Sequence, residues 1–141
     1  MPYDTNNIFA QVLRGEVPAC KVYEDDRNIA ILDVMPQADG HTLILPKVSA
    51  ENLFELDDDS AQALVLCVRH VALGVRAAFQ PDGMRIMQLN GAAAGQTVFH
   101  FHMHIIPCYE GQPLRKHARG MAEASELESH ADRIRQALAQ L

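Results

Sequence analysis

The first patterned segment of the chain repeats apolar residues at helical spacing: Ile8, Phe9, Val12 and Leu13 predict a short helix over Ile8–Leu13, capped by Asn7 and stopped by Gly15. Lys21–Glu24 and Asn28–Val34 predict two strands that meet at an Asp25-Asp26 turn. His41–Leu45 predicts a third strand, reached through the Pro- and Gly-containing turn Met35-Pro-Gln-Ala-Asp-Gly40. After Pro46 a helical turn is expected around Asn52–Leu56. Asp57-Asp-Asp-Ser60 then suits the positive end of a long helix that runs to Phe79, with Leu64, Cys67, Val68, Val71 and Val75 on its core face and Pro81-Asp-Gly83 beyond its end. Met84–Leu89 and Val98–Ile106 predict two more strands around a loop rich in Gly and Ala. Gly111–Gly120 is irregular and polar, and Leu127, Ala131, Ile134, Leu138 and Leu141 mark a C-terminal amphipathic helix.

Five strands grouped around one long helix, without regular strand–helix alternation, predict an α+β fold with a mainly antiparallel sheet. At 141 residues and 48% apolar, the chain has material for one core and one domain, residues 1–141. An open five-stranded sheet has edges that invite pairing, so a homodimer is expected.

Charge narrows the partners. With 18 acidic and 12 basic residues the formal charge is −6, which does not favour a nucleic-acid backbone but leaves room for one small anion held by neutral donors. The longest apolar runs, Ala63–Val68 and Val71–Val75, are far shorter than the roughly 20 residues of a membrane span, so no membrane partner is expected. The N-terminal residues lack the pattern of a secretion signal, which predicts a cytoplasmic protein. Cys20, Cys67 and Cys108 are odd in number and far apart, which predicts reduced thiols in packing roles.

The segment with the most chemical content is Val98-Phe-His-Phe-His-Met-His-Ile-Ile-Pro107. Three of the chain's seven histidines lie there within five residues, alternating with Phe99, Phe101, Met103 and Ile105. Period-two alternation puts His100, His102 and His104 on one face and the apolar set toward the core. A single ion cannot use all three, because His100 and His104 would be about 13 Å apart along a strand; His41 would have to supply a further ligand. Nucleophilic catalysis suits the spacing better. A middle imidazole attacks phosphorus, one neighbour orients it, and the other faces the substrate. Gly91 and Gly95 in the preceding loop permit close approach of backbone amides to a phosphate, and Asn90, Gln96 and Thr97 add neutral donors.

His100-Phe-His-Met-His-Ile-Ile106 resembles the His-φ-His-φ-His-φ-φ signature (φ apolar) of the histidine triad family. Leu89-Asn-Gly-Ala-Ala-Ala-Gly-Gln-Thr-Val98 and Leu32-Asp-Val-Met-Pro-Gln-Ala-Asp-Gly-His-Thr-Leu-Ile-Leu-Pro-Lys47 match its upstream motifs, so the similarity covers roughly residues 7–107 and is greatest to the Hint branch. The resemblance implies a purine nucleotide hydrolase or transferase of homodimeric α+β fold, needing no cofactor. Its expected substrate is a nucleoside 5′-phosphoramidate or related nucleotidyl bond. It further implies His102 as the nucleophile that becomes nucleotidylated, His104 at the phosphate or leaving group, and His100 and His41 in support. Asp33 would bind ribose; Asn90, Gly95, Gln96 and Thr97 would surround the phosphate; Ile8, Phe9, Ile31 and Leu32 would line the base pocket.

Dinucleoside polyphosphate hydrolysis and a nucleotide-binding regulatory role with incidental catalysis are the alternatives. Zinc-bearing relatives carry a Cys-x-x-Cys where this chain has Asn7-Ile-Phe-Ala10 and a His in place of Ser49, so no structural metal is expected. Packing of Ile8, Phe9, Val12 and Leu13 would hold the first helix instead. Arg115, Lys116, His117 and Arg119 form a basic cluster that either reaches a leaving group or is simply solvated.

Overall fold

The computed structural model describes residues 2–116 and 120–141. Helix α1 spans Ile8–Leu13, and Asn7 caps it by accepting a hydrogen bond from the Ala10 amide. Five strands follow in one sheet: β1 (Lys21–Glu24), β2 (Asn28–Leu32), β3 (Thr42–Pro46), β4 (Gly83–Met87) and β5 (Met103–Cys108). Their spatial order is β1-β2-β3-β5-β4, and every neighbouring pair is antiparallel. The expected α+β architecture with its antiparallel sheet is present.

Alternation along β2 and β3 explains why both strands are buried throughout. Ala30, Leu32 and Ile44 join the main core with Leu64, Val71 and Val75 of helix α2 (Asp58–Phe79) and Ile134 of helix α3 (Ala124–Ala139). Ile29, Ile31, Leu43 and Leu45 face the other way, where Phe9, Val12, Leu13 and Ala19 cover them. The sheet is thus packed on both faces at its centre. Packing of Phe9, Val12 and Leu13 holds α1 as expected, whereas Ile8 lies outside the cluster and is 44% exposed. The short α1 and the chain up to Ala19 form one wall of the cavity described below.

Helix α2 has the length and hydropathy of a membrane span. Its Leu64, Cys67, Val68, Val71, Gly74, Val75 and Phe79 are nevertheless buried against the sheet and α3, which makes it the core helix. Asp57 caps its start through the Ser60 amide. The helix ends at Gln80, which adopts a left-handed conformation (φ 48°) one residue before Pro81. In α3, Leu127, Ala131 and Ile134 are buried as the periodicity predicts, whereas Leu141 lies beyond the helix and is 63% exposed. Burial pushes the Cys67 thiol up to about 12, which makes it an inert packing group; Cys20 and Cys108 are likewise unbridged.

One strand departs from expectation. The predicted strand Val98–Ile106 is regular only from Met103, so His100 and His102 precede β5. The reason lies in its neighbour. β3 pairs with β5 only as far as Ile44↔Met103, and two residues farther along β3 stands Pro46, which has no amide hydrogen to offer. The 98–102 segment finds other partners: the Phe101 amide donates to the Ala50 carbonyl at 2.7 Å. The remaining strand ends shift by one or two residues, β2 stopping at Leu32 and β4 running Gly83–Met87.

Candidate active site

Although residues 98–102 leave the sheet, they keep the alternation. Phe101 and Ile105 are buried in the α2-side core and Met103 packs against it. His100, His102 and His104 turn to the opposite side, all nearly or fully buried. Their rings form a compact set with His41, delivered from the start of β3. The His102 and His104 ring centroids lie 5.0 Å apart and those of His41 and His104 5.2 Å. Phe9 of α1 meets the His102 ring edge-on at 4.9 Å. Gly40 makes this delivery possible: its φ of +87° is left-handed, and a Cβ there would lie 2.8 Å from the Phe79 ring.

Hydrogen bonds assign a proton to each ring, because a backbone carbonyl only accepts and a backbone amide only donates. His102 Nδ1 is 2.7 Å from the His100 carbonyl, so Nδ1 carries the hydrogen and the neutral ring presents a lone pair at Nε2. The Gln37 amide donates to His41 Nδ1 at 3.0 Å, which places the His41 hydrogen on Nε2. That Nε2 lies 2.9 Å from His104 Nδ1, which therefore accepts, leaving His104 with its hydrogen on Nε2. In their neutral forms His102 thus has its acceptor nitrogen at Nε2 and His104 its N–H there. His100 donates from Nε2 to the Pro46 carbonyl at 2.8 Å, and burial holds its pKa below the ordinary value, opposed by the Pro46 hydrogen bond and reinforced by the nearby His102.

Asp33 closes the group. One carboxylate oxygen accepts from the Met35 amide at 2.8 Å, and the other is 3.5 Å from His41 Nε2. Donor atoms of Asp33, His41 and His104 all lie within 4.8 Å of one another. A metal ion there would have to displace the proton that His41 Nε2 shares with His104, so this trio reads as a hydrogen-bonded relay. Asn7 caps α1, Ala10 is a buried apolar residue and Ser49 is exposed, so these three positions offer zinc neither thiolate nor imidazole.

A cavity of about 650 Å³ opens against this group. Ile8, Phe9, Ile31, Leu32, Asp33, Gly95, Thr97, His102 and His104 line it, so the structure brings together most of the residues marked in the sequence. Asn90 and Gln96 are not among the lining residues. Asn90 accepts from the Leu53 amide and exchanges hydrogen bonds with Gln88. Gln96, only 4% exposed, donates to the Glu51 and Val98 carbonyls and accepts from the Gly91 amide. In this structure both amides brace the loop, while Gly95 and Thr97 of the same loop line the cavity. Gly95 completes the loop in a left-handed conformation, φ 104°, after the single 3-10 turn Ala92–Ala94.

Sequence reasoning missed several contributors. Val12, Val17, Pro18, Ala19 and Leu43 extend the apolar wall, and Gln37 reaches it from the turn before His41. Leu43 was legible in principle, since it shares the β3 face with Leu45; Gln37 acts through a backbone amide that any residue except proline would supply. Met121, next to Ala122 whose amide donates to the Val34 carbonyl, also lines the cavity. Of the basic cluster, Arg115 pairs with Asp39 at 2.7 Å and its amide donates to the Gln37 carbonyl, while His117 and Arg119 lie outside the described residues.

Comparison with known proteins agrees with this geometry. The HIT domain profile matches residues 14–111. A Hit-like protein of Bartonella henselae, crystallised with an unknown ligand and described as involved in cell-cycle regulation, superposes with a TM-score of 0.90 at 46% identity, over 96% of this chain and 99% of that one. Protein hit of Bacillus subtilis is 43% identical over 104 residues, which is 74% of this chain and 72% of the relative. Adenylylsulfatase HINT3 of Arabidopsis thaliana is 38% identical over 129 residues, covering 86% of this chain and 66% of that protein. The chain belongs to the HIT, or histidine triad, family.

Proposed function

We propose that this member of a family of nucleotide-binding hydrolases and transferases cleaves a purine nucleoside 5′-phosphoramidate or related nucleotidyl bond through a covalent intermediate on His102. The observation that carries this reading is the complementary protonation of neighbouring rings: a lone pair at His102 Nε2 beside an N–H at His104 Nε2.

In the first step His102 Nε2 attacks the α-phosphorus, forming a P–N bond as the bond to the leaving amine breaks. The phosphoramidate enters protonated at nitrogen and so departs as the neutral amine, while His104 donates a hydrogen bond from Nε2 to the departing nitrogen and keeps its hydrogen. The nucleotidylated imidazole becomes cationic, and the His100 carbonyl at its Nδ1–H stabilises that charge. In the second step water attacks phosphorus, the P–N bond to His102 breaks, and nucleoside monophosphate leaves with one hydrogen of the water while the other passes to solvent. The two steps together consume one water and return both rings to their starting state. Asp33, buried at the cavity wall, can accept hydrogen bonds from ribose hydroxyls.

The relationship to an adenylylsulfatase favours a second leaving group, sulfate, on the same chemistry. Single-turnover assays with adenosine 5′-phosphoramidate and adenosine 5′-phosphosulfate, quenched in acid, test both. AMP release from either with transient protein-bound label supports the reading. Binding of AMP with neither release nor label would refute it and favour a nucleotide-binding regulatory protein.

A further inference from the structure

Tyr3 lies ahead of α1 in a segment with no catalytic pattern, yet its hydroxyl hydrogen-bonds His100 Nδ1, 97 residues away in sequence. Their rings meet edge-on, with centroids 5.7 Å apart and planes at 70°. The direction of the bond follows from the other end of the imidazole. His100 Nε2 must carry the hydrogen to bond the Pro46 carbonyl, so in the neutral ring Nδ1 accepts and the Tyr3 hydroxyl donates. The His100 residue is fully buried, and its ring is held at both nitrogens by protein groups.

The backbone of the same residue orients the nucleophile. His100 contributes the carbonyl that takes the His102 Nδ1–H at 2.7 Å, and through it the lone pair at Nε2. Residues 98–102 lack a sheet ladder to fix that carbonyl; the Phe101 amide on the Ala50 carbonyl and the Gln96 side-chain amide on the Val98 carbonyl hold their backbone on either side of it. We infer that Tyr3 is a positioning residue for the reaction: by locking the His100 ring it fixes the carbonyl that sets the tautomer and aim of His102. The inference rests on the reading of His102 as nucleophile. It also gives the N-terminal segment a polar fastening to the site in a chain that lacks thiolates or imidazole at Asn7, Ala10 and Ser49.

Removing the hydroxyl leaves a buried acceptor without its donor. The ring can then exchange tautomers, losing Pro46, or swing, and either movement carries the His100 carbonyl with it. Tyr3→Phe is the decisive variant because it retains the edge-on ring contact. In ligand-free protein labelled with 15N-histidine, the His102 ring signals should move from the Nδ1–H pattern toward a mixture of tautomers. In single turnover the rate of nucleotidyl transfer should fall about tenfold with KM changed by less than about twofold. Leu13→Ala, which loosens the packing of α1 without touching the hydrogen bond, should leave the His102 ring signals as in the wild type.

Unchanged His102 signals in Tyr3→Phe, a wild-type transfer rate, or the same spectral shift in Leu13→Ala would each overturn the inference and reduce Tyr3 to packing. The spectra need no substrate. If the wild type transfers no nucleotide, the proposed function fails, while the His102 tautomer still decides what Tyr3 does.

Discussion

Single side chains here act mainly by fixing where hydrogens reside. His100 shows this in its response to pH. Burial lowers its pKa in the folded protein below the ordinary 6.5, so the unfolded chain binds a proton more readily than the folded one. Its contribution to stability is therefore whole above about pH 6.5 and declines as pH falls below that value. Urea unfolding at pH 7.5 and pH 5 should show wild type losing more stability than His100→Gln over the same interval; equal losses would contradict the burial argument. Gln96 is a second case. Its amide ties Glu51, Val98 and Gly91 together, so Gln96→Ala should cost about 2 kcal/mol in denaturant unfolding and weaken nucleotide binding through the slackened loop. Before the fold is known, Gln96 and a phosphate-facing amide look alike: both are polar residues in a Gly-rich loop. What separates them is the Glu51 carbonyl, 45 residues away.

At the level of elements, local periodicity carries most of the fold because each strand and helix has a distinct inner face. Asn7 before α1, Asp57 before α2 and the 127–131–134 stripe of α3 are all read from neighbouring residues, and the structure places them accordingly. The start of β5 could not be read in the same way, since it depends on Pro46 in a strand more than fifty residues earlier. The turn into β3 is equally sensitive. Gly40→Ala would combine a left-handed φ with a 2.8 Å approach to Phe79, so it should destabilise the protein by about 2 kcal/mol or more. It should also displace His41, measured as slower transfer in the fraction that remains folded. A wild-type melting temperature for this variant would show that the turn is free to relax.

For the molecule as a whole, two expectations follow from what surrounds the sheet. Arg135 of α3 donates twice to the Lys21 carbonyl at the β1 edge, and among the described residues β4 is the more exposed edge, with Ile86 44% exposed. We propose that β4 carries the homodimer contact; light scattering should show a dimer for the wild type and a shift to monomer for Ile86→Lys. The cavity wall formed by α1, Val17–Ala19, Ile31 and Leu43 offers apolar side chains and no side-chain donor or acceptor to a base edge. AMP and GMP should accordingly bind within about tenfold of each other in calorimetry. The central claim is that His102 Nε2 takes the nucleotide. It is tested most directly by acid-quenched single turnover of adenosine 5′-phosphoramidate labelled in the adenosine, wild type against His102→Ala. The account predicts AMP release and transient label on the wild type, and neither on the variant; label that persists on His102→Ala would place the nucleophile elsewhere.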